Sequence, residues 1–342
     1  MSADYQSFDL SGSHYDLGLA QGARTERFEI PPWWPAPPEL AFAEACAQQI
    51  AEIHPPLIDE LQGYADSQRL PYEELLRGVC RRTMRLRARV PAVYPEGGCS
   101  SFAMIDADGH VRVGRNYDFH TVQRVRQRLR LRPNRGRPSV GMRGSVPGGR
   151  YDGVNDAGLF ICLHVTLSDE PEEIRPGIPF HLLPRLVLET CADAREAVDL
   201  LTRVRHLHPF NYLIADARGE MFVVEAHPER ARVLEPVGQV GSLPHPLHNF
   251  IAATNHFRHP EMTLFQRGRK LTHSQDRLAF LYENAGRRTS ASLLTHHASR
   301  VCGHAGGHTT LWSLTADLTA RTLAYAPGAP CVTAYERVPW PD

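Results

Sequence analysis

Gly97-Gly98-Cys99-Ser100-Ser101-Phe102, followed by Gly114-Arg115-Asn116-Tyr117-Asp118-Phe119, is the stretch on which the reading of the fold turns. Between the two pieces lie an apolar run ending at Ile105 and the turn Asp106-Ala107-Asp108-Gly109, which together read as a β-hairpin. Two glycines before a cysteine at a strand start allow a tightly turned backbone there. The strand holds the thiol on a rigid element, and its partner should bring Arg115 and Asp118 back beside Cys99. An arginine favours a thiolate, and a carboxylate can orient an amine or receive a proton. Taken alone, Cys99 reads best as a buried structural thiol. Its neighbours reverse that preference.

On either side of Cys99 the texture differs. Before it, residues 39–53, 55–67 and 71–87 carry helical spacing, with prolines suited to the first turns of the second and third stretches. The Pro-rich PPWWPAPP at 31–38 reads as a surface loop rather than a lid. After it come short strands at 101–105, 110–119, 124–132, 151–165, 210–216, 220–226, 248–254, 309–317 and 320–326. Helices are expected at 179–190, 193–204, 274–285 and 290–299. Strands in hairpin-sized groups with helices in blocks argue for an α+β fold of layered antiparallel sheets. In 124–132, Val125, Gln127, Leu129 and Leu131 share one face. The opposite face of Arg124, Arg126, Arg128, Arg130 and Arg132 reads as solvated, with attraction of an acidic or phosphorylated substrate the lesser alternative.

Composition excludes several classes. The 342 residues, 42% hydrophobic and 22% charged, can bury a large core. Lys+Arg and Asp+Glu both total 38, so a general nucleic-acid binder is not expected. No apolar run is long enough for a membrane span, and MSADYQSFDL is not signal-like. Seven scattered cysteines do not make a disulfide framework, so a reducing cytoplasm is the expected compartment.

The hairpin with G-R-N-x-D-F resembles the cysteine N-terminal-nucleophile (Ntn) hydrolases. The relatives it suggests are acyl-CoA:6-aminopenicillanate acyltransferase-like proteins and choloylglycine-hydrolase or linear-amide-hydrolase proteins. Four further stretches agree in order. Gly12-Ser13-His14-Tyr15-Asp16-Leu17-Gly18 is similar to the opening pro-segment helix, and Tyr151–Leu159 to a G-x-N-E-x-G-L strand turn. Ala253-Thr254-Asn255-His256-Phe257 matches a T-N-H-F segment, and TTLWSLTADLTARTLAYAPGAPC a closing strand pair.

The resemblance implies a four-layer α/β/β/α sandwich of two stacked antiparallel sheets. Residues 1–98 would form a helical pro-segment and residues 99–342 the catalytic domain, the two staying associated after self-cleavage between Gly98 and Cys99. The freed α-amino group of Cys99, with an ordinary pKa near ~8, would serve as base for its own thiol. By the same resemblance Arg115 and Asp118 position Cys99, and the Asn255 side-chain amide donates to the oxyanion. The implied activity is hydrolysis of a linear, non-peptide amide through an acyl-thioester, with acyl transfer to an amine as the close alternative.

On the substrate side, His164 stands where bile-salt-type relatives have Asn, and His308 where penicillin-type relatives have Arg, with Arg300 nearby. Asn155 and His256 join them as substrate-side candidates, although Asn155 also reads as a turn former. No cofactor is expected, and the partners expected are a small amide substrate and the two cleaved fragments. Oligomeric state stays open. The His-rich segment from His296 to His308, with Cys302 and His304, contains metal-ligand residue types. It lacks paired ligand spacing, so it reads as a plain loop and no metal ligand is assigned. A non-catalytic or metal-binding protein on the same fold is the remaining alternative.

Overall fold

The computed structural model describes residues 5–29, 38–84, 98–120, 126–166, 168, 173–240, 247–266, 272–304 and 308–342. β1 (Tyr5–Gly12) and α1 (His14–Gly22) lead into α2 (Leu40–Ile53), α3 (Pro56–Gln68) and α4 (Tyr72–Met84). The expected hairpin is β2 (Ser100–Ile105) and β3 (Val111–His120), followed by β4 (Arg126–Pro133), β5 (Ser139–Met142), β6 (Asp152–Asn155) and β7 (Phe160–Val165). After α5 (Leu182–Thr190) and α6 (Ala194–Arg203) come β8 (Phe210–Ala215), β9 (Met221–His227), β10 (Arg230–Leu234), β11 (Val237–Val240) and β12 (Leu247–Ala253). The chain closes with α7 (Pro260–Thr263), α8 (Thr272–Asn284), α9 (Ser290–Leu294), β13 (His308–Asp317), β14 (Thr322–Ala326) and β15 (Glu336–Val338).

The strands form two sheets, ordered β1-β4-β5-β6-β7-β8-β9-β10 and β11-β12-β2-β3-β13-β14-β15. The two sheets face each other: Ser101 on β2 meets His164 on β7, and Trp312 on β13 donates to Asp152 on β6. α5 and α6 cover the outer face of the first sheet, and α8 and α9 that of the second. The architecture is therefore the α/β/β/α sandwich, α+β in class. Alternation explains the layers. On β2, Ser101 and Ala103 turn inward between the sheets. Phe102 and Met104 turn outward, into an apolar cluster with Phe250, Leu281, Leu293 and Leu294 under α8 and α9. Among the described residues, no helix is long and apolar enough to cross a membrane.

Three expectations need correction. Residues 1–98 are not wholly helical, because β1 adds an edge strand to the first sheet. It pairs with β4 in parallel, so that sheet is not wholly antiparallel. Only Leu10 of β1 is buried, and an edge strand with so little core contact leaves a weak alternating signal. The Arg face expected around β4 is also only partly solvated, its Arg124 lying outside the described residues. Arg126 is buried with its guanidinium on the Leu311 carbonyl, Arg128 lies over the Tyr5 and Tyr325 rings, and Arg130 donates to the Trp340 carbonyl. Arg132 pairs with Asp9 at 2.8 Å. With these guanidinium groups engaged by the chain itself, the face is not a free anion-binding surface. Finally, the helix expected at 290–299 stops at Leu294.

The N-terminal segment is locked to the rest by close packing and buried charge. Ser13 and Asp16 form a capping box that starts α1. A Cβ on Gly18 would stand 2.0 Å from the Glu60 carbonyl oxygen, and one on Gly63 would stand 2.1 Å from that of Tyr15. α1 and α3 therefore touch backbone to backbone, which accounts for the glycine in the H-Y-D-L-G run. Behind them, Arg185 of α5 grips Glu60 of α3 with two hydrogen bonds, at 3.0 and 2.8 Å. The same guanidinium reaches Glu189 at 2.5 Å, and His14 and His54 reach the other Glu189 oxygen at 3.0 and 2.9 Å.

Candidate active site

Cys99 sits where β2 begins. The hairpin register pairs Ser100 with Asn116 and Ser101 with Arg115, so the second strand returns as the spacing requires. Cys99 is 4% exposed. Arg115 approaches its sulfur from the inter-sheet side, with Nη2 at 4.0 Å. That guanidinium is aimed by others: Nη1 donates to the Tyr151 carbonyl at 2.9 Å, and Nε lies 3.3 Å from Asp152. Asp152 in turn accepts from the Trp312 indole at 2.8 Å and the Tyr325 hydroxyl at 3.0 Å. Burial pushes the Cys99 thiol pKa up, and Arg115 opposes the rise.

Asp118, one residue past Tyr117, is buried on the helix side of the second sheet. The Thr310 hydroxyl donates to its Oδ1 at 2.7 Å. An irregularity in the β13 register between Thr310 and Trp312 lets neighbouring residues serve both sides of the sheet. Burial raises the Asp118 carboxyl to about 7, against the opposing pull of Thr310 and Arg277. A carboxyl with that value can take or give a proton near neutral pH.

Asn255 follows β12 and is fixed on three sides. Its backbone N–H donates to Ser274 Oγ at 2.9 Å, its Nδ2 donates to the Val165 carbonyl at 2.9 Å, and its Oδ1 accepts from Arg277 Nη2 at 2.7 Å. Both groups lie close against the Gly98 Cα. A Cβ on Gly98 would stand 2.2 Å from Asn255 Oδ1 and 2.6 Å from Arg277 Nη2. In this uncut chain the Asn255 amide nitrogen donates to Val165, and the Arg277 guanidinium lies close beside Gly98. The donor role expected of Asn255 is one for the cleaved chain, and here its side chain is held against Gly98 by Val165 and Arg277.

Arg277 was missed by the reading of the sequence. Its signal was there: in α8 it falls on the buried face with Ser274, Leu278 and Leu281. An arginine at an apolar-face position needs an anion or a buried acceptor. Burial lowers its pKa, while Asp118 and Cys99 favour its charge.

The substrate-side candidates separate. His164 is fully buried, its Nε2 is 2.9 Å from Ser101 Oγ, and burial holds its pKa well below the ordinary histidine value. It lines the inter-sheet side near Cys99 as a neutral imidazole. His256 turns away onto Ser274 Oγ at 2.7 Å and Thr254, helping hold Asn255, and burial lowers its pKa to about 4. Asn155 is a turn brace. Its Nδ2 donates to the Leu188 and Cys191 carbonyls, and its Oδ1 accepts from Ala157 and Leu159, so its amide is engaged by the chain itself. Arg300 lies beyond α9 in a left-handed backbone position and is near enough to Arg277 to lower its pKa. His308 is buried at the start of β13, two residues before Thr310. Gly97 lies outside the described residues, as do parts of the loops expected to shape the pocket (167, 169–172 and 241–246).

Comparison with known proteins adds a family. The sequence profile of the acyl-coenzyme A:6-aminopenicillanic acid acyl-transferase family matches residues 106–330, about two thirds of the chain and beginning just after Cys99. A comparison with curated proteins gave no match. Among solved structures, the chain is similar to a Caenorhabditis elegans ortholog of N-acylethanolamine-hydrolyzing acid amidase, at 18% identity over 65% of this chain and 93% of that one, with a TM-score of 0.45. It is also similar to a variant of the conjugated bile acid hydrolase of Clostridium perfringens, at 13% identity over 71% and 97% of the two chains, with a TM-score of 0.47. A third likeness is to penicillin V acylase from Agrobacterium tumefaciens, at 16% identity over 67% and 83%, with a TM-score of 0.44.

Proposed function

The chain belongs to the acyl-coenzyme A:6-aminopenicillanic acid acyl-transferase family, and from that premise we propose that it is a self-processing cysteine amidohydrolase whose nucleophile is Cys99. What carries the reading is the set of groups gathered at one peptide bond: the Cys99 thiol, Arg115 at 4.0 Å, the Asp118 carboxyl, and the Asn255–Arg277 pair against Gly98.

In the first step the Cys99 sulfur attacks the Gly98 carbonyl carbon. Asp118, ionised above about 7, receives the thiol proton, and Arg277 faces the charge that develops on the carbonyl oxygen. The C–N bond breaks, the Cys99 nitrogen takes a proton, and a thioester links Gly98 to the sulfur. Water hydrolyses that thioester, leaving a Gly98 carboxylate, a free thiol and a new α-amino group on Cys99. One residue then supplies nucleophile and base. The mature cycle repeats the chemistry on a linear, non-peptide amide: the sulfur takes the acyl group, the amine leaves, and water releases the acid.

Acyl transfer to an amine uses the same residues, and the family's description keeps it as a second reading. Incubation of the mature protein with a panel of N-acyl amines should release the amine and leave a transient acyl adduct on Cys99 in the mass spectrum. Addition of a second amine separates the readings: a hydrolase yields mainly the free acid, an acyltransferase the new amide. A correctly cut chain that forms no adduct with any member of the panel would speak against the amidase reading.

A further inference from the structure

Cys302, His304 and Cys331 meet outside the catalytic cluster, and His297 joins them. The ligand atoms of all four lie within 4.8 Å of one another. The two sulfurs are 3.6 Å apart, and His304 Nε2 is 3.4 Å from Cys302 Sγ and 3.0 Å from Cys331 Sγ. The His297 and His304 rings stand edge to face, with centroids 5.1 Å apart. We propose that these four residues form a tetrahedral Cys2His2 site for a divalent zinc ion.

The size of the cluster supports this. With Zn–S bonds of about 2.3 Å and Zn–N bonds of about 2.0 Å, tetrahedral edges are about 3.8 Å between sulfurs and about 3.5 Å between sulfur and nitrogen. A disulfide is the competing explanation, but its sulfurs would stand about 2.05 Å apart. The ligand chemistry also selects the ion. Two thiolates with two imidazoles suit zinc and not calcium or magnesium, which take oxygen ligands. Binding would release the two thiol protons and leave the site charge-neutral. In the sequence, three of the ligands fall within eight residues, while Cys331 comes from the loop after β14, which is why spacing alone did not reveal the group.

The position gives such an ion a structural purpose. It would tie the segment after α9 to the chain's closing loop. Gly303, between two of the ligands, donates its N–H to Thr310 Oγ1 at 3.0 Å, and Thr310 donates to Asp118. The tie would thus brace the wall behind the Asp118 carboxyl.

The test is metal analysis of the full chain produced with added zinc and dialysed. The expected result is about one zinc per chain, with a fall to near zero in the Cys302→Ser/Cys331→Ser double variant. His54→Asn, in the other buried His and Glu cluster, should keep its zinc. Cobalt(II) in place of zinc should give thiolate charge-transfer absorption and strong tetrahedral visible bands, both lost in the double variant. His297→Ala, at an exposed position, keeps the test open if the double variant fails to fold: its zinc affinity against a chromophoric chelator should drop tenfold or more. Chelation of the wild type should lower Tm by about 5 °C or more. A metal-free wild-type chain that takes up neither ion, zinc that survives loss of both thiols, or a Cys302–Cys331 disulfide in the mass spectrum would overturn the assignment.

Discussion

Two clusters of buried charge sit in this molecule, and they are built to opposite ends. In the joint between the N-terminal segment and the sandwich, Glu189 is surrounded by Arg185, His14 and His54. Burial alone would raise its pKa, but these partners hold it far below the usual carboxylate range. At the Gly98–Cys99 bond, Asp118 is just as buried, receives one short hydroxyl bond, and is raised to about 7. The first carboxylate is fixed as a charge, and the second is poised to exchange a proton. Full pairing marks the structural cluster. Incomplete pairing marks the one suited to chemistry.

Substitutions can break this contrast from either side. Cys99→Ala should have the largest effect, leaving the chain full length on denaturing electrophoresis and abolishing turnover, a loss of at least about 10³-fold. Arg185→Ala leaves Glu60 and Glu189 as buried charges without their main partner. It should cost about 3–5 kcal/mol of stability in denaturant unfolding, while the folded fraction keeps its pH profile of cleavage. Asn255→Ala or Arg277→Ala should instead slow cleavage by about 10²–10³-fold with a modest change in stability. Gly98→Ala should do the same, because its added Cβ displaces Asn255 and Arg277. Equal stability losses and no kinetic change in this second group would erase the distinction between the clusters.

Acidity sharpens the same comparison with a smaller effect. Because burial raises Asp118 from 3.8 to about 7, the folded chain holds it protonated below that value. Cleavage that uses its carboxylate should rise about tenfold per pH unit up to about pH 7 and then level off. Asp118→Asn should remove the inflection. At the joint the pKa shift has the opposite sign, and the loss on acidification comes at a lower pH. Glu189 is depressed, so the stability it contributes is full above the unfolded value of about 4.3 and is lost as pH falls below it.

Much of this was legible in the chain itself. Strand alternation and the Asp-Ala-Asp-Gly turn placed Arg115 and Asp118 beside Cys99, because a hairpin's register is local. Groups that meet across the fold were harder to see. Arg277 reads as one more arginine in a chain with a single lysine, unless its place among the apolar residues of α8 is weighed. β1 escaped notice because its stability comes from a partner strand over a hundred residues away, and the Arg face of β4 looked solvated because Tyr325 and Trp340 arrive to cover it only in the folded molecule. Asn155 stood out by its motif, yet its four hydrogen bonds all brace the turn.

The central claim concerns one bond, and intact-mass measurement of the purified protein addresses it most directly. The account predicts two fragments whose masses meet at Gly98–Cys99, held together under native conditions, and a single full-length mass for Cys99→Ala. A wild-type chain that stays whole across the pH range in which Asp118 is ionised would contradict it.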